Sequence, residues 1–189
     1  MKSLPTSWND ITLSDYKKVY HIIISEEYES DIEKMIDIVL ELSRTNINTA
    51  PLGSVKKIEF MLHPELIPNK IPKAFVFKGK IYKPFLNFKS LNAGQYIDLT
   101  SYTKSPDKII DNMNYLMAIM CSPVNWIGIR KKYDGEGMIK RAELFNDLPI
   151  TVAYPLCVFF CQNLENSIES MQDYLANQAE MLVKNLKTM

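Results

Sequence analysis

The chain has 189 residues, enough for one domain with a core that needs no disulfide or metal, and its 22 basic residues balance 22 acidic ones. This balance argues against a global field that would recruit nucleic acid or an anionic membrane. The three cysteines, and a first segment without the apolar run of a signal peptide, favour reduced thiols in the cytoplasm.

Two capping boxes predict the first two helices. Thr12 and Asp15 open one, and Ser30 and Glu33 open another that should end near Arg44. After each box, apolar residues recur at every third or fourth position, as on one face of a helix. The predicted faces are Leu13, Tyr16, Val19, Tyr20 and Ile23 in the first helix, and Ile32, Met35, Ile36, Val39 and Leu42 in the second.

The clearest β signal is a hairpin near residues 74–85. It follows a predicted short helix over 55–62 and a segment in which prolines at 64, 68 and 72 forbid a continuous helix, because proline has no N–H to donate. Two apolar runs flank a Lys-Gly-Lys turn, with Gly79 expected to take the unusual dihedral. An isolated hairpin is marginal in water, so we expect it to pack on helices or pair with another strand or subunit.

Helices are also expected between residues 92 and 145. Asn92 and Gln95 should cap one, and Pro106 should be the first residue of another that runs to Met120. The glycine-rich segment 133–137 is predicted to be a flexible loop before a helix over 139–145. The run 130–132, Arg-Lys-Lys, is interpreted as a solvated face.

A long C-terminal helix is predicted to start after a cap at Asp147 and to run as far as Lys187. Its first part, 150–160, is apolar on nearly all sides and suits the core. The sequence thus predicts a mainly α fold: a helical domain over 1–163 with one hairpin, and a helical extension over 164–189. The extension carries a narrow apolar stripe that we expect to contact partners, through Ile168, Met171, Leu175, Leu182 and Leu186.

No pattern in the sequence indicates catalysis. The two histidines, His21 and His63, are not part of a recognisable nucleophile motif, so we expect no enzyme and no small-molecule substrate. Cys157 and Cys161 lie one helical turn apart, but zinc normally needs four ligands and no second pair has matching spacing. We therefore expect core thiols and neither a metal nor a cofactor.

Three short blocks resemble a known group of proteins. They occur in order as LPTSWNDITL at 4–13, LNAGQYIDL at 91–99 and RAELFNDLP at 141–149. The chain thereby resembles a diverse group of small proteins encoded among the virion genes of tailed bacteriophages, including crAss-like phages of gut Bacteroidetes. No catalytic motif is carried over from that group.

The resemblance implies a structural or assembly role. The first expectation is a virion protein that forms a ring of its own copies in the head–tail connector or tail, in contact with portal, connector or tail proteins. The second is a tail-assembly chaperone that shields an apolar surface of a tail protein. A non-virion accessory factor that binds nucleic acid is a third alternative, which no residue pattern favours. We expect the protein in the virion, and in the host cytoplasm during assembly, with no membrane partner.

Overall fold

The computed structural model describes residues 4–43, 52–105 and 108–164. In these ranges, seven α-helices and three strands alternate with short 3-10 turns. The predicted mainly α class is confirmed. The helices are α1 (Leu13–Ile24), α2 (Asp31–Ser43), α3 (Leu52–Val55), α4 (Ala93–Thr103), α5 (Met113–Met120), α6 (Gly135–Phe145) and α7 (150–164), and the strands are β1 (Phe75–Phe77), β2 (Lys80–Pro84) and β3 (Cys121–Pro123).

Capping starts α1 and α4 as the sequence predicts. The Asp15 N–H donates to Thr12 Oγ1 at 3.1 Å, and the Gln95 N–H donates to Asn92 Oδ1 at 2.9 Å. The box before α2 is only half formed, because the Glu33 N–H donates to Ser30 but the Glu33 carboxylate accepts from the backbone of Glu29. Side chains that satisfy the first N–H groups stabilise a helix by about 1 kcal/mol each.

The predicted helix over 55–62 is a different element. A single α-turn, α3, continues as a 3-10 helix over Lys56–Leu62, and a second 3-10 turn, Pro64–Leu66, begins at the first of the three prolines. Val55, Ile58 and Met61 are buried as expected. The apolar spacing of three is compatible with both helix types, so the pattern identifies the buried face but not the helix type.

α5 is the central helix of the core, with six apolar residues buried on all sides (Met113, Leu116, Met117, Ala118, Ile119 and Met120). The predicted start of this helix at Pro106 lies outside the described residues. The predicted continuous helix up to Met120 is wrong, because α5 begins at Met113 and residues 108–112 form turns. The Asn112 side chain donates to the carbonyl of Tyr102 at 2.9 Å, which ties the turn to the end of α4. Asparagine often competes with helix formation in this way.

The strands form an antiparallel sheet in the order β1-β2-β3. Lys78 and Gly79 both have positive φ, 44° and 72°, which is the two-residue turn that matches the twist of a hairpin. The expected role of Gly79 is confirmed, while the positive φ of Lys78 was not predicted. β3 follows α5 without a loop, and at three residues it is too short to show an alternating pattern. The hairpin both pairs with this strand and packs on helices, as we expected.

The inner face of the sheet packs on Phe145 at the end of α6. The Phe145 ring lies 5.0 Å from the ring of Tyr82, 6.0 Å from Phe77 and 6.1 Å from Phe75, between centroids. These aromatic contacts connect a sheet that is too small to be stable alone to the helical core.

The loop predicted over 133–137 is instead the start of α6. The Asp134 carboxylate caps the helix by accepting from the Gly137 N–H, and the helix begins at Gly135. A Cβ at Gly137 would lie 2.6 Å from both Asp134 carboxylate oxygens, whereas a Cβ at Gly135 would meet nothing within 4 Å. Glycines at this end of a helix therefore allow the cap, which the sequence pattern alone does not reveal.

This difference predicts opposite effects for two neighbouring substitutions. Gly135→Ala should stabilise the fold by roughly 0.5–1 kcal/mol, since alanine favours helix. Gly137→Ala gains the same preference but displaces the cap, which is worth about 1 kcal/mol, so it should be neutral or destabilising. Chemical unfolding of both variants beside the unmodified protein measures the difference. Equal stabilisation by the two changes would contradict the cap.

α7 begins later than predicted. Asp147 is not its cap: the carboxylate accepts from Lys78 Nζ at 2.6 Å, and Pro149 forms a bridge with Thr12 before the helix starts at residue 150. The apolar segment is core as expected, with one side exposed at Val158. The buried residues of α7 are Ile150, Ala153, Pro155, Leu156, Cys157, Phe160 and Leu164.

Candidate assembly surface

The partner-contact residues predicted from the sequence lie outside the described residues. These are the stripe of the C-terminal extension, namely Ile168, Met171, Leu175, Leu182 and Leu186. Their role stays a prediction, and so does the division of the chain at 163 and 164. The described part of the chain presents a different candidate surface.

The residues considered for chemistry are dispersed. His63 Nδ1 lies 3.1 Å from the exposed Glu65 carboxylate, and His21 lies on another helix. The Cys157 thiol is buried and donates to the Met113 carbonyl at 3.7 Å, which makes it part of the core. Among the described residues, no three or more His, Cys, Asp or Glu side chains are grouped so that they could hold a metal ion.

Buried polar groups serve the core. Lys17 on α1 donates to the side chain of Asn114, which in turn donates to the Ala142 carbonyl of α6 at 3.2 Å. Arg141 donates to the Ala118 carbonyl near the end of α5 at 3.2 Å and 3.3 Å. Burial lowers the pKa of both Lys17 and Arg141. Each of these partly buried charges satisfies a backbone or amide group between helices.

The most exposed large apolar side chain in the described residues belongs to a loop after β3. Trp126 is 93% exposed, and Ile127 and Ile129 beside it are 55% and 60% exposed. We call residues 125–129 the Trp126 loop. Three large apolar side chains in water at one loop tip are unusual unless they contact a partner.

The Trp126 loop has a defined shape. The Asn125 N–H donates to the Ile129 carbonyl at 2.9 Å, and the Asn125 side chain accepts from the Ile129 N–H at 2.8 Å. Gly128, with φ of 82°, closes the turn by donating to the Asn125 carbonyl at 2.9 Å. A loop that is already ordered loses less conformational entropy when it binds.

Arg130 holds the returning end of this loop. Its guanidinium donates to the Pro84 carbonyl at 2.9 Å and lies 4.4 Å from the centre of the Phe85 ring. Arg130 is exposed, in agreement with the interpretation of 130–132 as a solvated face, but its side chain also contacts the end of β2. Lys131 and Lys132 are exposed. The run thus contains one arginine that contacts the sheet and two exposed lysines beside the Trp126 loop.

The outer face of the sheet continues the apolar loop. Val76 and Ile81 are paired across β1 and β2, and are 72% and 44% exposed. Val124 lies beside them, since its N–H donates to the Ile81 carbonyl at 2.9 Å. A Cβ on Gly128 would lie 3.3 Å from Lys83 Nζ, which places the loop against this same face. The loop and the sheet form one continuous surface.

This surface is also basic. Residues 66–97 contain six lysines and no acidic residue, and 123–133 contain three basic residues and no acidic residue. We use the name Trp126 surface for the loop and the outer sheet face together with its cationic rim, namely Trp126, Ile127, Ile129, Val76 and Ile81 with Lys83, Lys131 and Lys132. Although the net charge of the chain is zero, basic residues are therefore concentrated in these two segments.

The opposite charge is concentrated at the turn between α1 and α2. Residues 22–33, which we call the acidic end, include five acidic residues and no lysine or arginine. A cavity of about 340 Å³ opens there, lined by His21, Ile22, Ser25, Glu27, Tyr28 and Glu33. Ile24 and Ile32 of the same segment are about half exposed.

Two hydrogen bonds connect the residues around the cavity. Tyr28 Oη donates to the Asp37 carboxylate at 2.9 Å, which raises the pKa of Tyr28, and Lys34 Nζ donates to the Ser25 carbonyl at 2.9 Å. Lys34 therefore places one positive charge beside the cavity, whereas Glu27 and Glu33 line it and Glu26, Glu29 and Asp31 belong to the same segment.

The sequence around Trp126 is compatible with either a core or an interface residue, and the structure places Trp126 on the surface. An apolar Trp-Ile-Gly-Ile run directly before three basic residues is the signal that could have indicated this. Its spacing fits neither a helix nor a strand, so periodicity alone did not separate it from irregular core.

Comparison of the chain with family models, with curated proteins and with solved structures found no match. The class defined by the fold is that of a mainly α domain with one small antiparallel sheet. In the described ranges, no helix is both long enough and apolar enough to span a bilayer.

Proposed function

We propose that this chain is a structural protein of a tailed bacteriophage, which assembles into a ring of its own copies in the head–tail connector or tail. The Trp126 surface carries the proposal. It offers an ordered loop with an exposed tryptophan beside exposed aliphatic side chains, and interfaces concentrate their binding energy in such residues.

Burial energies support an interface on this surface. A large apolar side chain contributes roughly 1.5–3 kcal/mol when it passes from water into a packed environment. Trp126, Ile127 and Ile129 together offer several such contributions in a small area, without the cost of ordering the loop. An isolated subunit leaves these side chains in water, whereas a subunit in a ring buries them against its neighbour.

The resemblance of the three blocks to small virion proteins of tailed phages supplies the biological setting of the proposal. In that setting the partners are other copies of the chain and neighbouring portal, connector or tail proteins, the location is the virion, and the role requires no catalysis, cofactor or metal. Nucleic acid is a less favoured partner, because the aromatic rings of the sheet pack toward the core and Val76 and Ile81 face outward, so that of the side chains named for the Trp126 surface only Trp126 offers a ring for stacking on a base.

Two measurements test the proposal. Mass spectrometry of purified virions should detect the chain in many copies, and light scattering should show that the purified protein forms an oligomer. Trp126→Ser should weaken that oligomer at least about tenfold, since 1.4 kcal/mol corresponds to a factor of ten. Leu66→Ser, at another exposed apolar position, is the matched control and should leave the oligomer intact.

A chain that is absent from virions would contradict the structural role. If it were instead recovered bound to a tail protein before assembly, the chaperone alternative would be correct.

A further inference from the structure

We propose that the Trp126 surface of one copy docks into the acidic end of the next copy, so that subunits join head to tail. This inference rests on the proposed function and specifies its interface. The Trp126 loop fills the cavity between α1 and α2, and the basic rim of one subunit lies against the acidic rim of its neighbour.

Charge complementarity identifies a second copy as the occupant. The segment 123–133 carries three basic residues and no acidic one, and the segment 22–33 carries five acidic residues and no lysine or arginine. Complementary rims increase the association rate and exclude partners of the wrong charge. Each contact between copies brings the basic segment of one subunit against the acidic segment of the next, so that their opposite charges compensate each other.

The shapes are also compatible. The acidic end is concave, with a volume of about 340 Å³ and apolar side chains at Ile22 in its lining and at Ile24 and Ile32 nearby. The Trp126 loop is convex, with its largest side chain at the tip. A buried tryptophan removes roughly 150–250 Å² from water, which makes it a suitable anchor for a pocket of this size.

The two surfaces occupy different parts of the subunit. The first turn of α1 is held near the sheet, because the Leu13 N–H donates to Leu148, three residues after Phe145, at 2.8 Å. The cavity lies at the last turn of α1, and a 12-residue helix is about 18 Å long. A contact between two different surfaces is heterologous, and repeated heterologous contacts produce a closed ring or an open filament.

The decisive experiment uses two defective variants. Trp126→Ser impairs only the Trp126 surface, and the pair Glu26→Lys with Glu27→Lys impairs only the acidic end. Both glutamates are exposed, so the fold should be retained, and circular dichroism with thermal melting checks this. Each variant alone should be monomeric at concentrations where the unmodified chain forms rings of more than two subunits. Their mixture should form one-to-one dimers, because only one intact contact is possible.

A second experiment reverses the charge on the Trp126 surface. Lys131→Glu with Lys132→Glu should weaken assembly roughly tenfold, and adding Glu26→Lys and Glu27→Lys to the same chain should restore part of the loss. A mixture that stays monomeric, or a combined variant with no recovery, would overturn the inference. Binding of the unmodified chain to anionic vesicles or to single-stranded DNA, lost in the lysine variant while rings persist, would also overturn it.

Failure of this interface is distinguishable from failure of the proposed function. If Trp126→Ser abolishes the ring but reversal at the acidic end does not, the protein is still a ring subunit and the Trp126 surface meets another part of its neighbour. If the chain is found in virions but is monomeric when purified, the structural role stands and the self-docking inference is wrong.

Discussion

Phe145→Ala is expected to lower the free energy of unfolding by roughly 3–5 kcal/mol. Phe145 is fully buried at the end of α6, and its ring contacts three aromatic rings of the hairpin. Alanine would leave a cavity at the junction of sheet and helices, and would remove the contacts that hold the sheet on the core. A small sheet has little stability of its own, so we expect its protection to be lost first.

Denaturant titration followed by circular dichroism measures the loss, and hydrogen exchange locates it. Leu144→Ala is the matched control, because the preceding residue is 37% exposed and should cost under about 1 kcal/mol. In the Phe145 variant, amides of β1 and β2 should exchange faster than those of α5. An equal cost for the two substitutions would show that the sheet does not depend on Phe145.

Stability is also expected to fall steeply above pH 9. Burial raises the pKa of the Cys121 and Cys157 thiols from their ordinary value of 9.0, and raises that of the Tyr16 and Tyr133 hydroxyls from 10.0. The unfolded chain therefore releases these protons at a lower pH than the folded chain. The free energy of unfolding therefore falls as the pH rises through the pKa values of the unfolded chain. Below those values, these groups do not change the free energy of unfolding.

The two thiols alone should remove roughly 3 kcal/mol of stability between pH 8 and pH 10, since each contributes about 1.4 kcal/mol per unit above its unfolded pKa. Lys17 offsets part of this loss, because burial lowers its pKa and the folded state prefers the neutral amine as the pH rises. Urea titrations at pH 8 and pH 10 measure the difference.

Single Cys121→Ala and Cys157→Ala variants are the controls for this prediction. Each should reduce the change in unfolding free energy over this interval by about half, whatever its own effect on stability at pH 8. Tyrosines extend the decline above pH 10 in all variants. A pH dependence that the cysteine substitutions leave unchanged would show that the thiols are not protected in the folded protein.

Local patterns in the sequence determined most of the helices. The boxes at Thr12 with Asp15 and at Asn92 with Gln95 predicted where α1 and α4 begin, because the atoms that form a cap are only three residues apart. The apolar spacing predicted most of the buried faces, and the Lys-Gly-Lys turn predicted the hairpin. In each case the interacting groups lie within a few residues of one another, so that a short stretch of sequence includes both of them. The prediction for α2 is wrong at its first turn, because Ile32 is 59% exposed while Ile38, outside the predicted face, is buried.

Only the tertiary structure decided the features that depend on distant parts of the chain. β3 is a strand because β2, some 40 residues earlier, supplies its hydrogen-bond partners, and Asp147 binds Lys78 rather than capping α7. The candidate site depends on tertiary structure for the same reason. Trp126 lies on a loop whose returning end is tied to the end of β2 by Arg130, and only the folded chain brings this loop beside the outer face of the sheet.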